Sequence, residues 1–328
     1  MSIDQLPAIL TVTMNPALDL ATAAERVVPG PKLRCDAPRI DPGGGGINVS
    51  RLVQRLGGET AAIVALGGGM GERLREAMTR EGISVRVIPV EGETRVSLGV
   101  TDRSTGEQFR FILPGPELTS EDGDRAIQAL SEESARGDFV VLSGSLPPAL
   151  AARFPRALAR ASGPMGIRFV VDTSGAALND LVRSPDPDPD TRPEVLRIDH
   201  LEAEEAGGRP MPALADTARF AADAVARGAA RYVIVGRDAE GNLLASADGI
   251  WFVRPPKVGV VSATGAGDSF LAAMTWALSI GTPPEEALRW GTAAAAATVT
   301  TPATDLCQPD MIEALRADCT LERIDPAG

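Results

Sequence analysis

Short runs rich in β-branched residues alternate with amphipathic segments of helix length along most of this chain, and nothing else in it constrains the fold as strongly. Strands are predicted at 9–14, 61–66, 139–142, 167–171, 195–198 and 232–235, and helices at 48–56, 72–81, 121–135, 151–161 and 214–227. Parallel strands need long crossovers, usually helical, so this order implies a mostly parallel sheet with helices on both faces. In such sheets ligands bind beyond the carboxyl ends of the strands.

Two stretches break the pattern. "TRVSLGVTDRSTGEQFRFILP" (94–114) alternates with period two on either side of "RSTGE", which predicts a β-hairpin. Residues 18–37 are strand-like and irregular. Neither fits a strand–helix–strand unit. We read the 328 residues as one domain, 1–328, carrying a small β lid built from about 17–40 and 92–114. "RSPDPDPDTRP" (183–193) is expected to be a solvated, proline-stiffened loop.

Bulk properties prune the functions. A hydrophobic content of 44% suits a sizeable soluble core, and a net charge of −12 argues against a nucleic-acid partner, which needs a basic face. A local arginine cluster remains compatible with a small anionic substrate. Cys35, Cys307 and Cys319 are too few for a disulfide framework and match no zinc spacing. His200 is the only histidine, so no His-rich metal site exists, and neither Lys32 nor Lys257 follows a glycine as a Walker loop requires. No apolar run approaches a membrane span and "MSIDQLPAIL" does not read as a signal peptide, so the expectation is a cytoplasmic protein without membrane contact.

Several short motifs carry chemistry. "TGAGDS" (264–269) joins a glycine turn to an apolar helix, and a helix start presents unpaired N–H groups and the positive end of a dipole. Asp268 there is either a helix cap or a working carboxylate. Gly43 to Gly46 precede a helical apolar period at Ile47, Val49, Leu52, Val53 and Leu56, which suggests close backbone approach to something. The spacing is not that of a dinucleotide-binding turn. Asp19 in "NPALDLA" follows the first strand, where it is a turn residue or an acceptor for sugar hydroxyls. Lys32 in "GPKLRC" is one of two lysines beside thirty arginines, by chance or because a compact ammonium is needed. "SGSLPP" (143–148) offers two hydroxyls at a strand end or is a plain turn.

In this order and separation, "NPALD", "KLRC", "GGGGIN", "SGSLPP" and "TGAGDS" resemble the ribokinase-like phosphofructokinase B family of sugar kinases, from the first strand to about residue 300. The set is most similar to the branch acting on fructose 6-phosphate, and relatives acting on fructose 1-phosphate or tagatose 6-phosphate share much of it. The resemblance implies a ribokinase-like three-layer α/β/α fold with a mostly parallel central sheet and a β-sheet lid. It implies transfer of the γ-phosphate of ATP, with Mg²⁺, to a sugar-phosphate hydroxyl, fructose 6-phosphate giving fructose 1,6-bisphosphate. Asp268 would then be the general base, and the N–H groups of Gly265, Ala266 and Gly267 the anion hole. Asp19, Gly44, Gly45 and Asn48 would grip sugar hydroxyls, with Lys32 near the reacting groups. Arg34, Arg95, Ser143 and Ser145 would hold the phosphate already on the sugar. Lids of this family commonly pair between subunits, which implies a homodimer and covers otherwise open strand edges.

The nucleotide half departs from the family. Its Lys-Pro-Asn-x-x-Glu stands here as "RIDHLE", leaving Arg197 and Asp199 toward the nucleotide and Glu202 with Asp199 toward Mg²⁺. The phosphate turn reads "GRDAEG", so Gly236, Arg237 and Gly241, with Thr264, complete the expected nucleotide contacts. Three readings stay open: ATP held by substituted contacts, another donor, or a sugar-phosphate-binding protein with a weakened nucleotide site.

Overall fold

The computed structural model describes residues 8–134, 137–186, 188–302 and 304–325. In chain order its strands are β1 (Ala8–Thr13), β2 (Ala17–Ala24), β3 (Arg39–Gly43), β4 (Glu59–Leu66), β5 (Ser84–Pro89), β6 (Arg95–Asp102) and β7 (Gln108–Ile112). They continue as β8 (Gly137–Ser143), β9 (Arg168–Asp172), β10 (Val195–Asp199), β11 (Tyr232–Gly236), β12 (Asn242–Ser246), β13 (Gly249–Arg254) and β14 (Thr320–Ile324). The helices are α1 (Gly45–Arg55), α2 (Gly68–Arg80), α3 (Ser120–Glu133), α4 (Pro148–Ala151), α5 (Phe154–Ser162) and α6 (Gly175–Arg183). After them come α7 (His200–Gly207), α8 (Leu214–Ala226), α9 (Ala266–Ser279), α10 (Pro284–Thr298) and α11 (Pro309–Asp318).

Ten strands form the main sheet in the order β14-β13-β12-β11-β10-β9-β8-β1-β4-β5. The seven from β11 to β5 are parallel, as the alternation requires, and β12, β13 and β14 add an antiparallel edge. Both faces are buried, so the strands read as continuous apolar runs whose side chains alternate between two cores. Leu10, Val140, Val171 and Leu196 face the layer made by α3, α5, α6, α7 and α8. Ile9, Val141, Val170 and Val195 face α1, α9, α10 and α11. Each such aliphatic contributes about 1.5–3 kcal/mol by leaving water, and together they hold the strand ends rigidly. Among the described residues no helix is long and apolar enough to cross a membrane. The helix predicted at 121–135 corresponds to α3, and Ala135 lies outside the described residues, as do Pro187 of the predicted loop and Met1–Pro7 of the N-terminal stretch.

The two irregular stretches form a separate four-stranded sheet, β3-β2-β6-β7. β2 runs antiparallel to β3 but parallel to β6, and β6 and β7 make the hairpin expected from the alternation. Its chain enters from β1 and returns through α1, and again leaves after β5 and returns before α3, so the small sheet hangs over the carboxyl ends of the main strands.

Candidate active site

The chain reverses its winding direction at β1, which sits between β8 and β4, and side chains converge beyond this switch point. Ser143, Asp172, Asp199 and Gly236 are the last residues of β8, β9, β10 and β11, with Ser143 paired to Asp172 and Asp199 to Gly236. The start of α9 meets them. Asp268 Oδ1 accepts a hydrogen bond from Ser143 Oγ at 3.3 Å, and Oδ2 accepts one from Asn48 Nδ2 at 2.9 Å. Burial pushes the Asp268 carboxyl up to about 6; the bond from Asn48 opposes this, the charge of Asp172 adds to it, and Arg197 and Ser143 oppose it again.

α9 starts from Gly265 in the left-handed region (φ +79°) and has no side-chain cap. Among the described residues the N–H groups of Gly265 and Gly267 donate to no main-chain oxygen, and that of Ala266 reaches only Ala263 O at 3.4 Å. Open donors at a helix start form a site for an anion. The turn also packs closely on a guanidinium: a Cβ on Gly267 would lie 3.0 Å from Nη1 of Arg197. That guanidinium, ion-paired with Asp172 at 3.1 Å, adds fixed positive charge behind the turn.

The four consecutive glycines have an explanation inside the protein itself. A Cβ on Gly43 would collide with the Asp19 carboxylate, one on Gly45 would sit 2.8 Å from Gly144 N, and one on Gly46 would sit 2.9 Å from Val12 O. Gly45 and Gly46 let α1 seat directly on the ends of β8 and β1. That seat is what brings Asn48 against Asp268.

A cavity of about 280 Å³ opens between the main sheet and the lid. From the body it is lined by Gly44, Gly45, Asn48, Ala263, Thr264, Gly265 and Asp268, and from the lid by Ala17, Asp19, Arg95, Ser97, Arg110 and Ile112. A narrower recess runs on past Thr101, Gln108 and Thr304. Burial raises Asp19 to about 6, against Arg110 and a hydrogen bond with Ser97, while Asp41 adds to the rise and Arg95 counters it. Arg95 donates from Nη2 to Asn15 O at 2.9 Å and from Nε to Pro16 O at 3.4 Å, which holds its side chain at the cavity wall.

Thus Asp19, Gly44, Gly45, Asn48, Arg95, Thr264, Gly265 and Asp268, all singled out from sequence, share one cleft. Others fall elsewhere. Lys32 and Arg34 lie on the exposed segment between β2 and β3 and do not line the cavity. Ser143 is buried against Asp268 rather than facing a phosphate, and exposed Ser145 accepts a bond from Asn15 Nδ2 at 3.0 Å. Arg237 does not reach outward. Its buried guanidinium donates to Met211 O, Pro212 O and Thr217 Oγ1 and pairs with Glu240, so it pins the α7–α8 connection. Gly241 (φ +134°) is glycine because a Cβ would strike the Val253 peptide, and Gly236 lies 3.3 Å from Asn242 by the same measure. Arg110 escaped the sequence reading. The hairpin period puts 108, 110 and 112 on one face, but sequence alone does not say which face turns toward the body.

Asp199 and Glu202 form a reciprocal capping box on α7: Glu202 N donates to Asp199 Oδ1, and Asp199 N to Glu202 Oε2. Each carboxylate keeps a second oxygen. Burial raises Glu202 to about 7, opposed by that backbone bond and reinforced by Asp199 and Asp172. Crowded carboxylates of this kind favour a cation. Among the described residues no cluster of three or more His, Cys, Asp or Glu forms a ready-made cage. Mg²⁺ fits that arrangement, because it is commonly held by one or two carboxylates together with substrate phosphates and water.

A family model for pfkB family carbohydrate kinases matches residues 12–311. The chain is 37% identical over 307 residues to the ATP-dependent 6-phosphofructokinase isozyme 2 of Mycobacterium tuberculosis, covering 94% of this chain and 88% of that one. It is 30% identical over 290 residues to the 1-phosphofructokinase of Bacillus subtilis, covering 88% and 92%. Among solved structures, phosphofructokinase-2 from Escherichia coli in complex with fructose-6-phosphate superimposes with a TM-score of 0.86 at 33% identity, over 96% of this chain and 99% of that one.

Proposed function

The chain belongs to the pfkB family of carbohydrate kinases, and from that premise we propose that it transfers the γ-phosphate of ATP to a hydroxyl of fructose 6-phosphate in the cytoplasm. One observation carries the reading: Asp268 and the open amides of Gly265 and Gly267 share a helix end, and Arg95 and Arg110 face them from the lid. Asp268 accepts the proton of the attacking hydroxyl, and the amides of Gly265–Gly267 neutralise the phosphoryl oxygens in flight. Phosphoryl transfer needs positioning and charge stabilisation more than covalent help. Asp19 orients the sugar hydroxyls. Arg95 and Arg110 take the phosphate already on the sugar, which a guanidinium fork grips with two bonds. In this reading Asp199 and Gly236, at the ends of β10 and β11, would serve the nucleotide, with Thr264 at the turn between the two substrates. Mg²⁺, held by Glu202 and Asp199, would screen the charge between the nucleotide phosphates.

A coupled assay crossing fructose 6-phosphate, fructose 1-phosphate and tagatose 6-phosphate with ATP, GTP and pyrophosphate tests this. The highest kcat/KM is expected for fructose 6-phosphate with ATP. The similarity to a 1-phosphofructokinase favours one alternative, fructose 1-phosphate, and a maximum there would replace the substrate while keeping the chemistry. In the same assay Arg95→Ala is expected to raise KM for the sugar phosphate about 10- to 100-fold with little change in kcat, the loss of one charge-assisted contact. An unchanged KM would remove Arg95 from the substrate.

The outer lid surface supports a homodimer. Leu33, Ile40, Phe111 and Leu113 are large, apolar and exposed, and β3 and β7 are open edges of the sheet. Light scattering at micromolar concentration should return twice the chain mass; the mass of one chain would reject lid pairing.

A further inference from the structure

Behind Asn48 lies a buried cation that the mechanism above does not use. Arg51, one turn further along α1, is 4% exposed. Its Nε and Nη2 grip both carboxylate oxygens of Glu81 at 2.7 and 3.0 Å, just past the end of α2. Its Nη1 points the other way, donating to Asn48 Oδ1 at 3.3 Å and to the carbonyls of Pro42 and Thr304 at 3.4 Å. We propose that Arg51, held by Glu81, is a positioning residue that fixes the Asn48 amide so that its N–H₂ end always faces Asp268. This rests on Asp268 being the base.

The argument is one of donors and acceptors. Arginine can only donate, so the amide oxygen of Asn48 must face it, and the amide nitrogen must then face Asp268. A donor aimed at a carboxylate favours the ionised form, the form able to take a proton from an alcohol. Without Arg51 the amide is free to turn over, and an oxygen set against Asp268 favours the protonated acid. The bidentate Glu81 grip matters because it prevents the guanidinium from swinging toward the carboxylates around α9. Asp172 and Arg197 are the charged groups facing Asp268 from β9 and β10, and Ser143 is its remaining polar neighbour. None of them touches Arg51.

The test is the pH profile of kcat at saturating sugar phosphate and Mg·ATP, where the free substrate's own titration drops out. In Arg51→Met the acid limb is expected about one pH unit above the parent's, with the plateau at high pH within a few-fold of it. A merely structural role would lower the plateau and leave the limb in place. Arg51→Lys, which keeps one donor for Asn48, should bring the limb part of the way back. Glu81→Gln, at an exposed position, should shift it in the same direction by less and carries the test if no Arg51 variant folds. A limb that stays at the parental pH in the folded variants overturns the proposal. The outcomes separate the two assignments: an inactive Asp268→Asn with an immobile limb removes only the role of Arg51. An active Asp268→Asn removes the base itself.

Discussion

Asp268→Asn should lower kcat by three to four orders of magnitude, with the affinity for sugar phosphate changed little. The loss of a positioned general base accounts for about 10²–10⁴, and the asparagine also disturbs the contacts with Asn48 and Ser143. Stability should move the other way. Burial raises this carboxyl from 3.8 to about 6, so the fold disfavours the ionised form. For an acid raised on folding, the stability contribution is fully present below the unfolded pKa and is lost as pH rises through the folded one. Asparagine escapes that loss. The variant's melting temperature should therefore exceed the parent's above about pH 6 and converge on it toward pH 4. Thermal melts across that range and single-turnover kinetics check both halves. Parental kcat in the variant would remove the base, and a lower Tm at pH 8 would remove the account of its burial.

The second large effect is expected from one methyl group. In Gly45→Ala the new carbon lands 2.7 Å from the Ser143 carbonyl carbon and 2.8 Å from Gly144 N, as well as against Ser143 Oγ. Two of those atoms are backbone at the end of a buried strand, so no rotamer change relieves the clash. α1 must lift, and with it Asn48. Overpacking of this kind costs about 1–3 kcal/mol, which should appear as a Tm lower by several degrees. The kinetic effect should be larger, a fall in kcat of at least 100-fold, because an ångström of misplacement at reacting groups costs that much. Gly57→Ala is the control, since a Cβ there meets nothing within 4 Å. It sits beyond the end of α1 (φ +80°), so it should lose some stability but keep kcat. Equal kcat in Gly45→Ala and its parent would show that the seat of α1 does not govern the chemistry.

Much of this was legible locally. The six predicted strands and the hairpin appear because apolar runs and apolar alternation are properties of neighbours in sequence, which secondary structure shares. What escaped was shaped by distant packing. α10 is buried on nearly every side, so no amphipathic period marks it, whereas α9, equally buried, was read from the apolar run after its glycine turn. β12 and β13 are short runs whose antiparallel pairing is set by the Gly249 turn and the sheet edge they extend. β5 closes the other edge, half-exposed, and ends in Pro89.

The candidate site divides in the same way. A rare lysine suggested a role for Lys32, yet rarity says nothing about direction, and its segment turns to solvent. Arg237 in an expected phosphate turn suggested a ligand, yet three inward oxygens claim it.

By itself the order of residues determined the short apolar runs that become strands, the period-two hairpin of the small sheet, and the glycine turn that leaves amides open before Asp268, because each depends on neighbours in sequence. Only the assembled chain decided which groups touch. Asn48 and Asp268 are 220 positions apart, and Arg51 and Thr304 are 253 apart. Whether a carboxylate is a cap or a base depends on such partners and on the water they exclude, and these exist only once the strand ends meet.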